Sequence, residues 1–198
     1  FYGASNAEVA IVGDFDADEI RRLIASELDG WKSPKPYTEV LTPFPDRPAA
    51  PVAQTFETPD KENAFFLAGM PFAMTDSHAD YPALVLGNYL LGQGASSRLF
   101  SRIRVREGLS YGVGSQLNAP AKSDGARFGA NAIAAPQNAD KVEASFRDEV
   151  GKVLRDGYSD EEVATAKDAW AQARQVARSQ DGALTGSLLN GLHNGRTL

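Results

Sequence analysis

The sequence predicts an α+β fold of two layers, a mostly antiparallel sheet covered by helices on one face. Three features point to it. Strand-like runs come in pairs around short turn-forming stretches, at 52–70 and 109–134, which is the pattern of hairpins. Helix-like stripes are paired as well, at 81–107 and 138–178. Strands and helices therefore fall in blocks, without the alternation that builds a parallel sheet.

Taken in order, EVAIVGD (residues 8–14) is a short β-rich apolar run. Asp16, with Glu19 three residues later, makes a capping box for a helix whose stripe is Ile20, Leu23, Ile24 and Leu28, and Gly30 ends it. Residues 31–51 hold six of the eleven prolines. Each removes a backbone donor and disfavours helix in the residue before it, so the stretch reads as an extended linker. VAQTFET and ENAFFLAGM flank TPDK as the arms of an antiparallel hairpin. Asp80 and Pro82 suit a helix start, and Leu84, Val85, Leu86, Tyr89, Leu90 and Leu91 leave that helix little polar face, which predicts good burial.

The next helix, SRLFSRIRVRE, turns Leu99, Phe100 and Ile103 inward and spaces Arg98, Arg102 and Arg106 four apart on another face; Gly108 stops it. LSYGVGSQL and ARFGANAIA follow around NAPAKSDG as a second hairpin. On its first arm Tyr111, Val113, Ser115 and Leu117 share one face, with Gly112 and Gly114 on the other, where another backbone can come close. A helix over 138–156 carries Ala139, Val142, Phe146, Val150, Val153 and Leu154, and Gly157 ends it. Ser159 and Glu162 open a long helix with Val163, Ala166, Trp170 and Ala173 on one stripe. The last segment, SQDGALTGSLLNGLHNG, is rich enough in Gly and Ser to predict an irregular or frayed helix.

The 198 residues are 42% hydrophobic and 23% charged, ordinary for a globular chain. Lys plus Arg number 20 against 26 Asp plus Glu, a formal charge of -6, which speaks against nucleic acid as a partner. The absence of cysteine removes disulfides, thiolate metal sites and a Cys nucleophile. No apolar run approaches the ~20 residues of a membrane span. The abrupt ends, with a strand within a few residues of Phe1 and a stop at NGRTL, suggest a piece of a longer protein.

GQGASSRLF (92–100) has the look of a phosphate-binding loop. In such a loop a strand delivers the glycines to a helix N-terminus. Here a helix precedes them, the Walker lysine is missing, and no acidic residue stands about 20 positions on in a β-α-β context. The segment reads as a tight helix-to-helix connection with Ser96 or Ser97 as cap. What it positions is RVREGLSY: Arg104 near the end of one helix and Tyr111 at the start of the next strand. Because the chain reverses at Gly108, a guanidinium and a phenol can converge, both donating to an oxygen that carries or develops negative charge. The same spacing is compatible with Arg104 salt-bridging a helix neighbour and Tyr111 packing in the sheet.

The run LLGQGASSRLFSRIRVREGLSYGVGS resembles the second-domain signature of the pitrilysin and insulinase family of zinc metallopeptidases, which includes the mitochondrial processing peptidases. YGASNAEVAIVGDFD and RDGYSDEEVATAKDAW extend the likeness over nearly the whole chain. The resemblance implies a domain of the LuxS and processing-peptidase fold type. It further implies that residues 1–30 are a strand–helix unit like the end of a preceding domain, 31–51 the interdomain linker, and 52–198 the non-zinc domain, truncated at its C-terminal end. On that reading the sheet's own last strand is missing, and the strand near Val9 to Val12 is expected to fill the open edge or to pair with a neighbouring chain.

Members of the family resemble a clamshell in which one half carries the inverted zinc motif H-x-x-E-H and the other lends an Arg and a Tyr to the enclosed peptide. The matching positions are Arg104 and Tyr111, with the implied role of binding the substrate backbone and polarising its scissile carbonyl. The zinc motif is absent: the two histidines, His78 and His193, have no His or Glu at a metal-ligand spacing. The resemblance therefore implies a domain that is inactive alone, that carries no cofactor itself, and whose partners are a zinc-bearing domain or subunit and a peptide substrate, with export to the periplasm or beyond as the expected location. Two other readings stay open: a scaffold subunit of the same fold without proteolysis, and a peptide-binding module using β-addition at a sheet edge.

Overall fold

The computed structural model describes residues 2–41, 44 and 50–196. Its sheet has three antiparallel strands, β1 (Ala64–Ala73), β2 (Ser110–Asn118) and β3 (Gly125–Ala134), in the order β1-β3-β2. β1 and β3 pair over their full length, from Ala64 opposite Ala134 to Ala73 opposite Gly125. Central β3 turns Ala126, Ala130, Ala132 and Ala134 inward, all buried, and these short side chains let the helical layer lie close. Leu91, Leu99, Ile103 and Val142 fill that layer, and Phe66, Val113, Phe128 and Phe146 pack around them. The rings of Phe66 and Phe146 tie sheet to helix at 5.3 Å.

The helices are α1 (Ala17–Leu28), α2 (Tyr81–Asn88), α3 (Ala139–Asp156), α4 (Asp160–Arg178) and α5 (Asp181–His193). α2 runs into a π-helical segment, Tyr89–Gln93, and a second one, Phe100–Arg106, precedes β2. The caps follow the sequence. Asp16 accepts from the backbone N–H of Asp18 and Glu19 at 2.9 Å each, and Ser159 and Glu162 exchange hydrogen bonds at 3.2 and 2.8 Å. Gly30, Gly108 and Gly157 stop their helices at φ +85°, +61° and +69°.

Four expectations are corrected. The hairpin of VAQTFET and ENAFFLAGM does not form. The turn closes, with Lys61 N–H donating to the Thr58 carbonyl at 2.9 Å, but 52–57 carry no strand and β1 pairs with β3 instead. Val52 and Phe56 are its only large apolar side chains, and both stay exposed, so pairing would bring edge hydrogen bonds without apolar burial. Residues 8–14 are likewise no strand, with Val9 and Ile11 exposed, and fill no sheet edge among the described residues. The apolar helix over 81–91 is less buried than its composition suggests: Leu84 is exposed and only Asn88 and Leu91 are sealed. α5, by contrast, is a regular helix, because Leu184 and Leu188 stand one turn apart on a half-buried stripe that outweighs the propensity cost of its glycines.

The chain divides into two compact units, Phe1–Leu41 with Gln172–Leu198, and Thr42–Ala171. In the first, the described residues 31–41 form neither helix nor strand. The rest of the proline-rich linker falls largely on 42–43 and 45–49, outside the described residues.

Candidate functional site

The Gly-rich turn is a spacer between helix and sheet. A Cβ added at Gly92 would stand 2.5 Å from Ser115 Oγ and 2.7 Å from the Ser115 backbone nitrogen, so only glycine lets the turn rest on β2. Ser115 Oγ donates to Asn88 Oδ1 at 2.8 Å, which ties the end of α2 to the same place. The hydroxyl cap expected of Ser96 or Ser97 is not made by Ser97: its Oγ is buried without a partner among the described residues, and the residue anchors the helix through its backbone carbonyl, which accepts from Ser101 N–H at 2.8 Å.

From that turn the helix is held at two arginines. Arg98 lays its fork on Glu162, Nε to Oε1 and Nη2 to Oε2 at 2.8 Å each, and donates to the Gly157 carbonyl at 3.1 Å. Its guanidinium lies 4.7 Å from the Tyr158 ring centre, and the Tyr158 hydroxyl donates to the Gly87 carbonyl at 3.0 Å. The Arg98 hydrogen bonds hold the Glu162 carboxyl down at about 2, while burial pushes the Tyr158 phenol up to about 12. Arg102, 16% exposed, donates to Glu107 at 2.9 Å and reaches Asp148 and Glu149 on α3. Hydrogen bonds from Arg102 and then Lys152 draw Asp148 down to about 2. Burial pushes Glu107 up, but the Ser145 hydroxyl at 2.6 Å and Arg102 outweigh it and leave the carboxyl below its ordinary value.

Arg104 points the other way. It is exposed, its guanidinium carbon stands 5.0 Å from the Phe100 ring centre, and its Nη1 donates to the Tyr111 carbonyl at 2.6 Å. The remaining N–H donors have no protein partner among the described residues. Tyr111 sits in a β-bulge: the register with β3 jumps between Ser110 and Gly112. Ser110 fixes the bulge, its Oγ lying 2.6 Å from the Ile133 carbonyl and accepting from Gly112 N–H at 3.1 Å. The bulge corrects the expected alternation. Val113, Ser115 and Leu117 follow the strand period, but Tyr111 is turned out of it and is 67% exposed. The structure thus brings Arg104 to the backbone of Tyr111 and leaves both side chains open to solvent.

The histidines do not fit a zinc site. His78 Nδ1 accepts from Asp80 N–H at 3.1 Å, and the two ring nitrogens of His193 face separate carboxylates, Glu8 at 3.3 Å and Glu39 at 3.8 Å. Among the described residues no group of three or more His, Cys, Asp or Glu is arranged to hold a metal ion. No described helix is long and apolar enough to cross a membrane.

A family model described as the peptidase M16 inactive domain matches residues 1–169. The chain belongs to this family. It is 31% identical over 193 residues to an uncharacterized zinc protease of Streptomyces coelicolor, covering 96% of this chain and 40% of that protein. The M16 inactive domain therefore spans well under half the length of this curated relative. Among solved structures, a protease from Helicobacter pylori matches at TM-score 0.69 and 16% identity, covering 93% of this chain and 44% of the other. The periplasmic protease PqqL from Escherichia coli matches at TM-score 0.55 and 18% identity, covering 91% and 20%. At these identities the two structures establish the fold alone.

Sequence reasoning missed both arginine anchors. The even spacing of Arg98 and Arg102 is visible, and so is Glu107 five residues after Arg102, but the acids that tie them to α3 and α4 lie 64 and 46–47 residues away, and only the folded chain pairs them.

Proposed function

We propose that this M16 inactive domain is the substrate-contributing half of a zinc peptidase, with Arg104 and Tyr111 gripping the peptide. The observation that carries the reading is an exposed guanidinium tethered to the backbone of Tyr111, whose own phenol is exposed at a β-bulge. Arg104 spends one N–H on the Tyr111 carbonyl, which fixes its direction, and keeps the others for a peptide carbonyl. On this reading the exposed Tyr111 hydroxyl serves as the second donor. Two donors converging on one peptide carbonyl oxygen stabilise the negative charge it gains in the transition state, which is the role assigned to the pair. The activated water would come from zinc bound in the partner domain. The other half is a zinc-bearing domain or subunit of the same family, and residues 1–30 complete that preceding domain, with 31–51 as linker. An exported location is part of the same proposal.

The test combines this domain with its zinc-bearing half and a quenched peptide. Arg104→Ala is expected to lower kcat/KM on the order of 100-fold, and Tyr111→Phe by about tenfold or more, with the fold intact by circular dichroism. Full activity in both variants would return the pair to a purely structural role.

A further inference from the structure

We propose that Arg102 is a positioning residue for the Arg104–Tyr111 pair, acting through the turn at 107–111; the inference rests on the functional reading above. Arg102 and Arg104 are two residues apart on the second π-helical segment, and side chains at that separation do not face each other. One lies partly buried against α3 and the other is exposed. The widened helix is part of the device: Glu107 N–H donates to the Arg102 carbonyl five residues back at 3.0 Å, and Leu109 N–H to Ile103 at 2.9 Å.

Arg102 anchors both ends of this last turn to α3. Its fork spans Glu107 on its own segment and Asp148 and Glu149 across the interface, while the second oxygen of Glu107 takes the Ser145 hydroxyl at 2.6 Å. From Glu107 only Gly108, Leu109 and Ser110 intervene before Tyr111. Ser110 pins the far side of the turn to Ile133 on β3. The carbonyl that Arg104 grips therefore hangs between one anchor on α3 and one on the sheet. Without Arg102, Lys152 still pairs with Asp148 and Glu149 on α3, but Glu107 loses its link to them, and the bulge loses its fixed height relative to Arg104. A displacement of the order of 1 Å is enough to spoil a preset donor pair.

A double-mutant cycle tests this in the assembled peptidase with a quenched peptide, Arg102→Lys against Arg104→Ala, with backbone amide exchange read in parallel. Lysine keeps the charge that holds the carboxylates together but lacks the planar fork that spans them. Arg102→Lys is expected to lower kcat by about tenfold with a smaller change in KM, and to add no further loss in the Arg104→Ala background. The amides of Leu109 and Gly112 should exchange about tenfold faster, while those of β1 and β3 keep their protection. Additive losses in the cycle, or unchanged exchange at Leu109 and Gly112, overturn the positioning role. If Arg104→Ala alone leaves activity intact, the functional reading fails instead, and amide exchange by itself then decides whether Arg102 holds the turn.

Discussion

Gly92 joins the Gly-rich turn to the sheet by having no side chain. Its neighbour Ser115 is buried, with its hydroxyl engaged by Asn88, and the atoms an added methyl would strike include the Ser115 backbone nitrogen. Neither yields without moving β2 or the helix end, so Gly92→Ala is expected to cost on the order of 2–3 kcal/mol, read as a lowered midpoint in urea at unchanged slope. Gly112 is the control. A Cβ there meets nothing within 4 Å, and Gly112→Ala should leave the midpoint nearly unchanged. Equal effects at the two positions would mean that the turn does not rest on β2 as described. The same contrast explains the residues: one glycine marks a close approach, and the other lies beside the bulge that exposes Tyr111.

At the scale of elements, the start of α4 is both a capping box and an ion-pair anchor, because Glu162 holds Ser159 N–H and Arg98 with the same carboxylate. Glu162→Gln removes the charge and half of the fork, with an expected loss of about 2 kcal/mol at neutral pH. The folded carboxyl sits at about 2, below its ordinary 4.5. A depressed acid stabilises the fold above the unfolded value, and that contribution fades as pH falls from 4.5 toward 2. Urea midpoints of the parent and Glu162→Gln should therefore be well apart at pH 7 and converge toward pH 2; a constant gap would place the cost in packing and not in charge.

This element also marks what the sequence made legible. The caps at Asp16 and Ser159 and the stops at Gly30, Gly108 and Gly157 depend on residues three or four apart, and so they could be read directly. The π-helical widening at 89–93 and 100–106 could not, because no spacing of side chains three or four apart marks a five-residue hydrogen bond such as Gly94 N–H to the Tyr89 carbonyl. Nor could the absent strand at 52–57, whose turn chemistry was right but whose apolar side chains find nothing to cover. Arg104 and Tyr111 were legible as a pair by motif, whereas the bulge that separates Tyr111 from the buried face is a matter of pairing register.

For the molecule as a whole, these anchors set the pH range of stability. On the acid side Glu107 is held below its ordinary value by Ser145 and Arg102 against its burial, Asp148 by Arg102 and Lys152, and Glu162 by Arg98, so the unfolded chain binds protons that the folded chain refuses. Stability should fall as pH drops below about 4.5, the ordinary glutamate value. On the alkaline side Tyr158 acts with the opposite sign. Burial lifts its phenol from 10.0 to about 12, so between those values the unfolded chain loses a proton that the folded one keeps, and stability declines through that window. Tyr158→Phe separates this term from general alkaline damage. The variant loses the hydrogen bond to the Gly87 carbonyl, about 1 kcal/mol, at all lower pH values. It has no phenol to ionise on unfolding, so its urea midpoint should fall less steeply than the parent's between pH 10 and 12, and parallel curves would show that Tyr158 is not held neutral by its burial between α2 and α4.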